Sequence, residues 1–138
     1  MPPPSGGGTI PGKNAGNTST VHKGRRGEER AARYLSSHRY RILEKNFKSV
    51  AGEVDIVAVR GRLIVFAEVK AWSRFRDYDL ERALARWKRR RIVASSRIYL
   101  ARHGGFRGYT VRYDVLLIPG DDRPPRHIEG AFGDVWCE

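Results

Sequence analysis

Gly52-Glu53-Val54-Asp55-Ile56-Val57-Ala58-Val59-Arg60-Gly61-Arg62-Leu63-Ile64-Val65-Phe66-Ala67-Glu68-Val69-Lys70 is the stretch whose reading decides the fold. Two β-branched, largely apolar runs flank Arg60-Gly61, the pattern of a β-hairpin with a short glycine-containing loop. Most residues on both faces are apolar, so the hairpin is expected to be buried rather than half solvated. Glu53, Asp55, Glu68 and Lys70 break that pattern.

Side chains alternate along a strand, so Glu53 shares a face with Asp55, and Glu68 with Lys70. A two-residue loop at Arg60 and Gly61 sets Val59 opposite Arg62, Asp55 opposite Phe66 and Glu53 opposite Glu68. All four polar side chains then point the same way, with Asp55 and Glu68 as diagonal neighbours about 7–8 Å apart along the backbone, close enough to grip one cation. Without a cation, two carboxylates in a partly buried place repel and one tends to protonate. The constellation asks for a metal.

Outside the hairpin, 138 residues make one domain's worth of chain. The 27 Lys+Arg against 15 Asp+Glu give a formal net charge of +12. That excess points to a polyanionic partner, nucleic acid ahead of an anionic membrane surface. A generically basic protein would account for the charge but not for the four aligned polar side chains. Cys137 is the single cysteine, which excludes an intramolecular disulfide and leaves a cysteine-based zinc site without ligands. With no long apolar run and no signal-like N-terminus, a cytoplasmic protein is expected.

Residues 1–20 contain nine Gly or Pro and only Lys13 as a charged side chain, and are read as a disordered tail ahead of a single domain over 21–138. Gly24 to Ser37 reads as a helix with an Ala31, Ala32, Leu35 stripe. One turn back, the stripe reaches Glu28. A first-turn acidic residue favoured by the helix dipole would explain Glu28 alone; beside the Asp55 and Glu68 pair, a third carboxylate entering the same site is the better reading. Residues 40–47 read as a strand that joins the hairpin in an antiparallel meander, with Gly52 as a permissive turn.

A second helix is expected from Asp79 to Ala101, with a core stripe of Leu80, Ala83, Leu84, Trp87, Ala94 and Ile98 and a stop at Gly104-Gly105. Lys88-Arg89-Arg90-Arg91 spans more than a turn, so some of its charge must face inward, and Lys88 and Arg91, next to the stripe, are the candidates. A solvated basic face is the plainer reading of the run; phosphate contact by Arg74, Arg86, Lys88, Arg89, Arg90 and Arg91 is the functional one. Tyr109 to Ile118 reads as a strand lying parallel to a sheet strand through a crossover. A short edge strand is expected around His127 to Glu129.

The order helix, three strands, helix, strand, with Asp55 and then Glu68-Val69-Lys70, resembles the core of the restriction-endonuclease-like superfamily: an α/β fold with an αβββαβ core whose mixed sheet is flanked by helices. Residues 24–118 are more closely similar to the YraN-like proteins, a small bacterial family related to Holliday-junction resolvases. The matching blocks are Gly27-Glu28 with Ala31-Ala32-Arg33-Tyr34-Leu35, Tyr40-Arg41-Ile42-Leu43 with Asn46, Gly52-Glu53-Val54-Asp55, and Val65-Phe66-Ala67-Glu68-Val69-Lys70.

The resemblance implies Asp55 and Glu68 as metal ligands, Lys70 as the catalytic lysine, and Glu28 as an accessory ligand or water-positioning group, with the Val69 carbonyl also within reach of the metal. Oxygen ligands without Cys or clustered His suit Mg²⁺ or Mn²⁺. Ala71-Trp72-Ser73-Arg74 stands where relatives commonly carry Thr-Arg, a departure that touches substrate contacts rather than the ligands. The expectation is a metal-dependent endonuclease hydrolysing phosphodiester bonds in structured or branched DNA, with DNA ahead of RNA as partner and a homodimer where two strands must be cut. The rival is a nucleic-acid-binding module with a nuclease fold and little cleavage.

Overall fold

The structure is a computed structural model that describes residues 26–72 and 86–133. The expected N-terminal tail, Arg74, the Asp79 helix cap and the first part of the second helix's proposed stripe lie outside them, as do the side chains of Arg86 and Trp87. The fold is α/β, in the order αβββαββ. Helix α1 covers residues 26–37. It is followed by β1 (Arg41–Ser49), β2 (Gly52–Arg60), β3 (Leu63–Trp72), α2 (Arg86–Arg102), β4 (Thr110–Pro119) and β5 (Arg126–Phe132).

The five strands form one sheet in sequence order, β1-β2-β3-β4-β5. The first three run antiparallel, β4 is parallel to β3, and β5 returns antiparallel to β4. A parallel partner needs a connection long enough to cross the sheet, and α2 lies in that connection. Alternation along β2 and β3 feeds two cores. Ile56, Ala58, Val65 and Ala67 meet Ala31, Ala32 and Leu35 of α1, the stripe read from the sequence. On the other face Val57, Val59, Ile64 and Phe66 meet Ile92, Val93 and Tyr99 of α2. Both faces are covered, which is why the hairpin reads as nearly continuous apolar sequence.

Two sequence expectations are corrected. The hairpin loop is Gly61-Arg62 rather than Arg60-Gly61, because Arg60 pairs with Leu63. Gly61 has φ 59 and Arg62 is not among the positive-φ residues, the pattern of a turn whose first loop position must be left-handed. Glycine takes that position at little steric cost; in the expected loop it would have fallen to Arg60. Moving the loop by one residue moves the pairing by two, so every side chain keeps its face. Continuing past the Ile56–Ala67 pair, Asp55 comes directly across from Glu68 instead of diagonal to it.

The second correction concerns α2. Its buried line runs through Ile92, Val93, Ser95, Ser96 and Tyr99, with Ala94 and Ile98 only half-buried. The line includes two serines, which hid it from a hydrophobic pattern. Both are fully buried and both are bonded: Ser95 Oγ lies 3.0 Å from Ser49 Oγ on β1, and Ser96 Oγ reaches the Val93 carbonyl at 2.6 Å and Tyr113 Oη at 2.8 Å. Small side chains let the helix approach closely. A Cβ at Gly52 (φ 147) would stand 3.1 Å from Arg91 Cβ, so glycine is required there both by conformation and by the helix above it.

β5 is longer than the short edge strand expected, and a buried acid holds it. Asp114, fully buried on β4, accepts from Arg112 Nε (2.8 Å) and the Gly130 amide (3.0 Å) at Oδ1, and from Arg112 Nη2 (2.7 Å) and His127 Nε2 (2.6 Å) at Oδ2. Arg112 Nη2 also donates to Tyr40 Oη at 2.7 Å, tying in the start of β1. The amide of Gly130 (φ 58) is offered where the β4–β5 register slips, as in a β-bulge. Burial alone would raise the Asp114 pKa, but the bonds from His127, Arg112 and Gly130 outweigh it and hold it below the usual carboxylate range. A depressed folded pKa means this stabilisation is present above the unfolded value, about 4, and is lost as pH falls through the folded one. Asp114→Ala is expected to cost about 3 kcal/mol or more near neutral pH, since it strands the buried partners, and urea denaturation at pH 7 measures it.

Candidate functional site

At the far end of the hairpin from its loop, the ladder between β2 and β3 ends at Ile56–Ala67. There the Asp55 carboxylate takes over a strand's role, its Oδ2 accepting the Val69 amide at 2.8 Å. Glu68, only 5% exposed, stands across from it on β3. Lys70 Nζ lies 3.6 Å from Glu68 Oε1, and Lys88 Nζ reaches the same oxygen at 2.5 Å. A cleft of about 190 Å³ opens here, lined by Gly52, Glu53, Asp55, Glu68, Lys88, Arg91 and Ile92. A larger groove near Val111 and Phe132 has no carboxylate in its lining.

The hairpin delivers both acids and Lys70, whereas α2 delivers Lys88. Lys88 precedes Ile92 by one turn on the line that continues through Ser95, Ser96 and Tyr99, so the packing that buries those residues aims Lys88 at the acids. Arg91 Nε donates to the Ala51 carbonyl at 3.2 Å, over the β1–β2 turn. Arg89 is half-buried and Arg90 exposed on the same turn of helix. Glu53 is exposed at the rim.

Glu28, on α1, has a hydrogen-bond partner on β1. Its Oε2 accepts from Asn46 Nδ2 at 2.9 Å, and Asn46 lies on β1 between the pairs Lys45–Ile56 and Phe47–Val54, across from Asp55. Asn46 has φ 54, a left-handed conformation that asparagine tolerates better than most residues. Among the described residues no three His, Cys, Asp or Glu side chains form a group able to hold a metal ion. Sequence reasoning singled out Lys88 as a candidate to face inward without naming Glu68 as its partner, and it did not find Asn46 as the partner of Glu28. The signal for the Lys88 contact was present in the helical spacing from Lys88 to Ile92 and Ser95.

The model of the Uncharacterised protein family UPF0102 matches residues 27–118. The chain belongs to this family. It is similar to a UPF0102 protein of Nitrobacter winogradskyi, 41% identical over 114 residues that cover 83% of this chain and 94% of the relative. One from Rhodopseudomonas palustris strain BisB5 is 40% identical over 76% of this chain and 78% of its own length. One from Treponema denticola is 32% identical over 82% and 96%. The span matched to UPF0102 contains Glu28, Asn46, Asp55, Glu68, Lys70 and Lys88, and stops before β5. No helix among the described residues is long and apolar enough to cross a membrane.

The electrostatics of this UPF0102 site follow from crowding charge into a half-dry place. Burial, then the negative charge of Glu68, push the Asp55 carboxyl up to about 8, against the opposing pull of the Val69 amide. The charge of Glu28 adds to the rise from a greater distance. Burial and the neighbouring Lys88 lower the Lys70 pKa, with Glu68 and Asp55 resisting. For Lys88 burial works against the charge, but its bonds to Glu68 and Lys70 prevail and raise the pKa.

Oxygen donors on two facing carboxylates fit a hard divalent cation. Magnesium is commonly held by one or two carboxylates, with waters and substrate phosphate completing its shell. Lys88 already seats one ammonium on Glu68, while burial and the charge of Glu68 keep the proton on Asp55.

The raised pKa of Asp55 also sets a pH dependence for the metal-free fold. The unfolded chain loses this proton near pH 4 and the folded chain near pH 8, so stability is fully present below about 4 and is lost as pH rises through about 8. Asp55→Asn, which can still accept the Val69 amide, is expected to raise the melting temperature by about 5 °C at pH 8–9 and to lose that advantage toward pH 4–5. Thermal melts in chelator across this range measure the difference.

Proposed function

We propose that this protein is a metal-dependent endonuclease of the restriction-endonuclease-like kind, hydrolysing phosphodiester bonds in structured or branched DNA. The observation that carries the reading is the meeting of Asp55 and Glu68 in one cleft beside the basic stretch of α2, with Lys70 3.6 Å from Glu68. The αβββα order around them, with Asp55 and Glu68 on adjacent strands, is the arrangement such nucleases share.

Asp55 and Glu68 would hold Mg²⁺ or Mn²⁺. Such an ion polarises the phosphodiester and lowers the pKa of a water. The chain's own groups do the rest. Asp55, pinned by the Val69 amide, presents its carboxylate in one fixed orientation. Lys70, whose pKa is lowered by burial and by Lys88, is suited to orient the attacking water. Lys88 and Arg91 at the cleft, with Arg90 exposed beside them, supply positive charge for the nucleic-acid backbone. Glu28 acts at a distance, as a negative charge felt at Asp55 and held off by Asn46. Cutting two strands of a junction calls for two such sites and hence a symmetric dimer.

One observation favours a second reading, a binding module with a nuclease fold and little cleavage. Among the described residues no group of three His, Cys, Asp or Glu forms that could hold a metal ion, and Lys88 already neutralises Glu68. Incubation with linear, single-stranded and four-way-junction DNA in Mg²⁺ or Mn²⁺ separates the two. The nuclease reading expects cleavage, reduced on the order of 1,000-fold in the Glu68→Ala, Lys70→Ala double variant. Equal cleavage by both proteins marks a contaminant and overturns it, and binding without cleavage on every substrate selects the module.

A further inference from the structure

Lys88 and Lys70 compete for one oxygen, and the lysine from the helix holds it. Its Nζ is 2.5 Å from Glu68 Oε1, against 3.6 Å for Lys70. The backbone of Lys88 is set by the docking of α2 through Ile92, Ser95, Ser96 and Tyr99, so it stays over the acids whatever happens at its tip. The side chain itself is 30% exposed, on a four-carbon stem that can swing without moving the helix. The cleft it borders has Glu68 and Asp55 in its lining.

Charge counting shows what a divalent cation would do to the Lys88–Glu68 contact. With both acids ionised, as cation binding would require, Asp55 and Glu68 against Lys70 and Lys88 sum to zero. A divalent cation between the acids brings the site to two positive charges, and Lys88 is then a like charge beside it. A phosphodiester carries one negative charge and its phosphorane-like transition state two, so the displaced ammonium has a matching partner only when nucleic acid is bound.

We propose that Lys88 is a placeholder cation that changes partner: it sits on Glu68 in the metal-free protein, gives way when a divalent cation is bound there, and turns onto the phosphate oxygens of the nucleic acid in the cleft. The inference rests on the metal-dependent nuclease reading and adds to it an order of events. Metal and nucleic acid bind cooperatively because the first frees the residue that grips the second.

The test uses the full chain and two readouts that need no turnover. Mn²⁺ binding is titrated calorimetrically without nucleic acid. Binding of a fluorescent four-way junction is followed by anisotropy in Ca²⁺ and in chelator. Lys88→Met, which keeps the stem and removes the charge, is expected to bind Mn²⁺ about tenfold more tightly than the unaltered protein, because a competing cation is gone. The same variant is expected to bind the junction about tenfold more weakly in Ca²⁺, with little change in chelator. If Lys88→Met does not fold, as judged by its melting curve, Lys88→Gln carries the same comparison. Unchanged or weaker Mn²⁺ binding overturns the proposal, since Lys88 then merely props Glu68, and leaves the nuclease reading standing. An equal loss of junction binding with and without Ca²⁺ also overturns it. Absence of Mn²⁺ binding in every protein overturns both the proposal and the metal site, and the cleavage assay above judges the nuclease reading separately.

Discussion

Two carboxyl groups facing each other at the buried end of a hairpin cannot both carry charge unless positive charge stands beside them, and much of this molecule is arranged around that constraint. Asp55 and Glu68 face one another because a glycine turn sets the register of β2 and β3. The sheet around them is apolar on both faces, so water relieves only part of the repulsion. The protein answers with a proton held on Asp55 toward pH 8, a backbone amide from Val69, and two lysines from different elements. On the proposed reading, a divalent cation would replace several of these partial measures at once.

Helix α2 matters to this arrangement through its closeness more than its charge. Ser95 and Ser96 are small enough to let the helix settle on β1, β2 and β4, and their hydroxyls find partners in Ser49 and Tyr113. Gly52 clears space for Arg91. Replacing either serine by a large apolar residue would enlarge the nominal hydrophobic stripe and lift Lys88 away from Glu68. The polar residues in this helix core are therefore part of how the site is positioned.

On the opposite face, α1 and the Asp114 clasp do comparable work for the sheet. Asp114 has four donors around two oxygens, so its burial costs little once all are in place. They come from β4 itself and from β5, and Arg112 extends the network to Tyr40 at the start of β1. This clasp was not read from the sequence. An aspartate preceding Val115-Leu116-Leu117-Ile118 was a local anomaly, but its partners at His127 and Gly130 lie beyond a turn-rich loop and a bulge that no periodicity announces.

Taken alone, the sequence determined the α/β class, the element order, the α1 stripe, the hairpin and the faces of its polar residues. These depend on local pattern, period 2 against period 3.6, and that pattern survives an error of one residue in a loop. It also singled out Asp55, Glu68 and Lys70, because charge within otherwise apolar strands is conspicuous. Only the tertiary structure decided that Asp55 faces Glu68 directly, since a one-residue change of loop shifts pairing by two and leaves the faces unaltered. Only it showed that Glu28 is held by Asn46, one strand removed from Asp55, and that Lys88 rather than Lys70 makes the closer contact with Glu68. Distances between side chains on separate elements depend on how closely those elements pack, and that closeness is set here by serines and glycines, residues whose contribution is the space they leave.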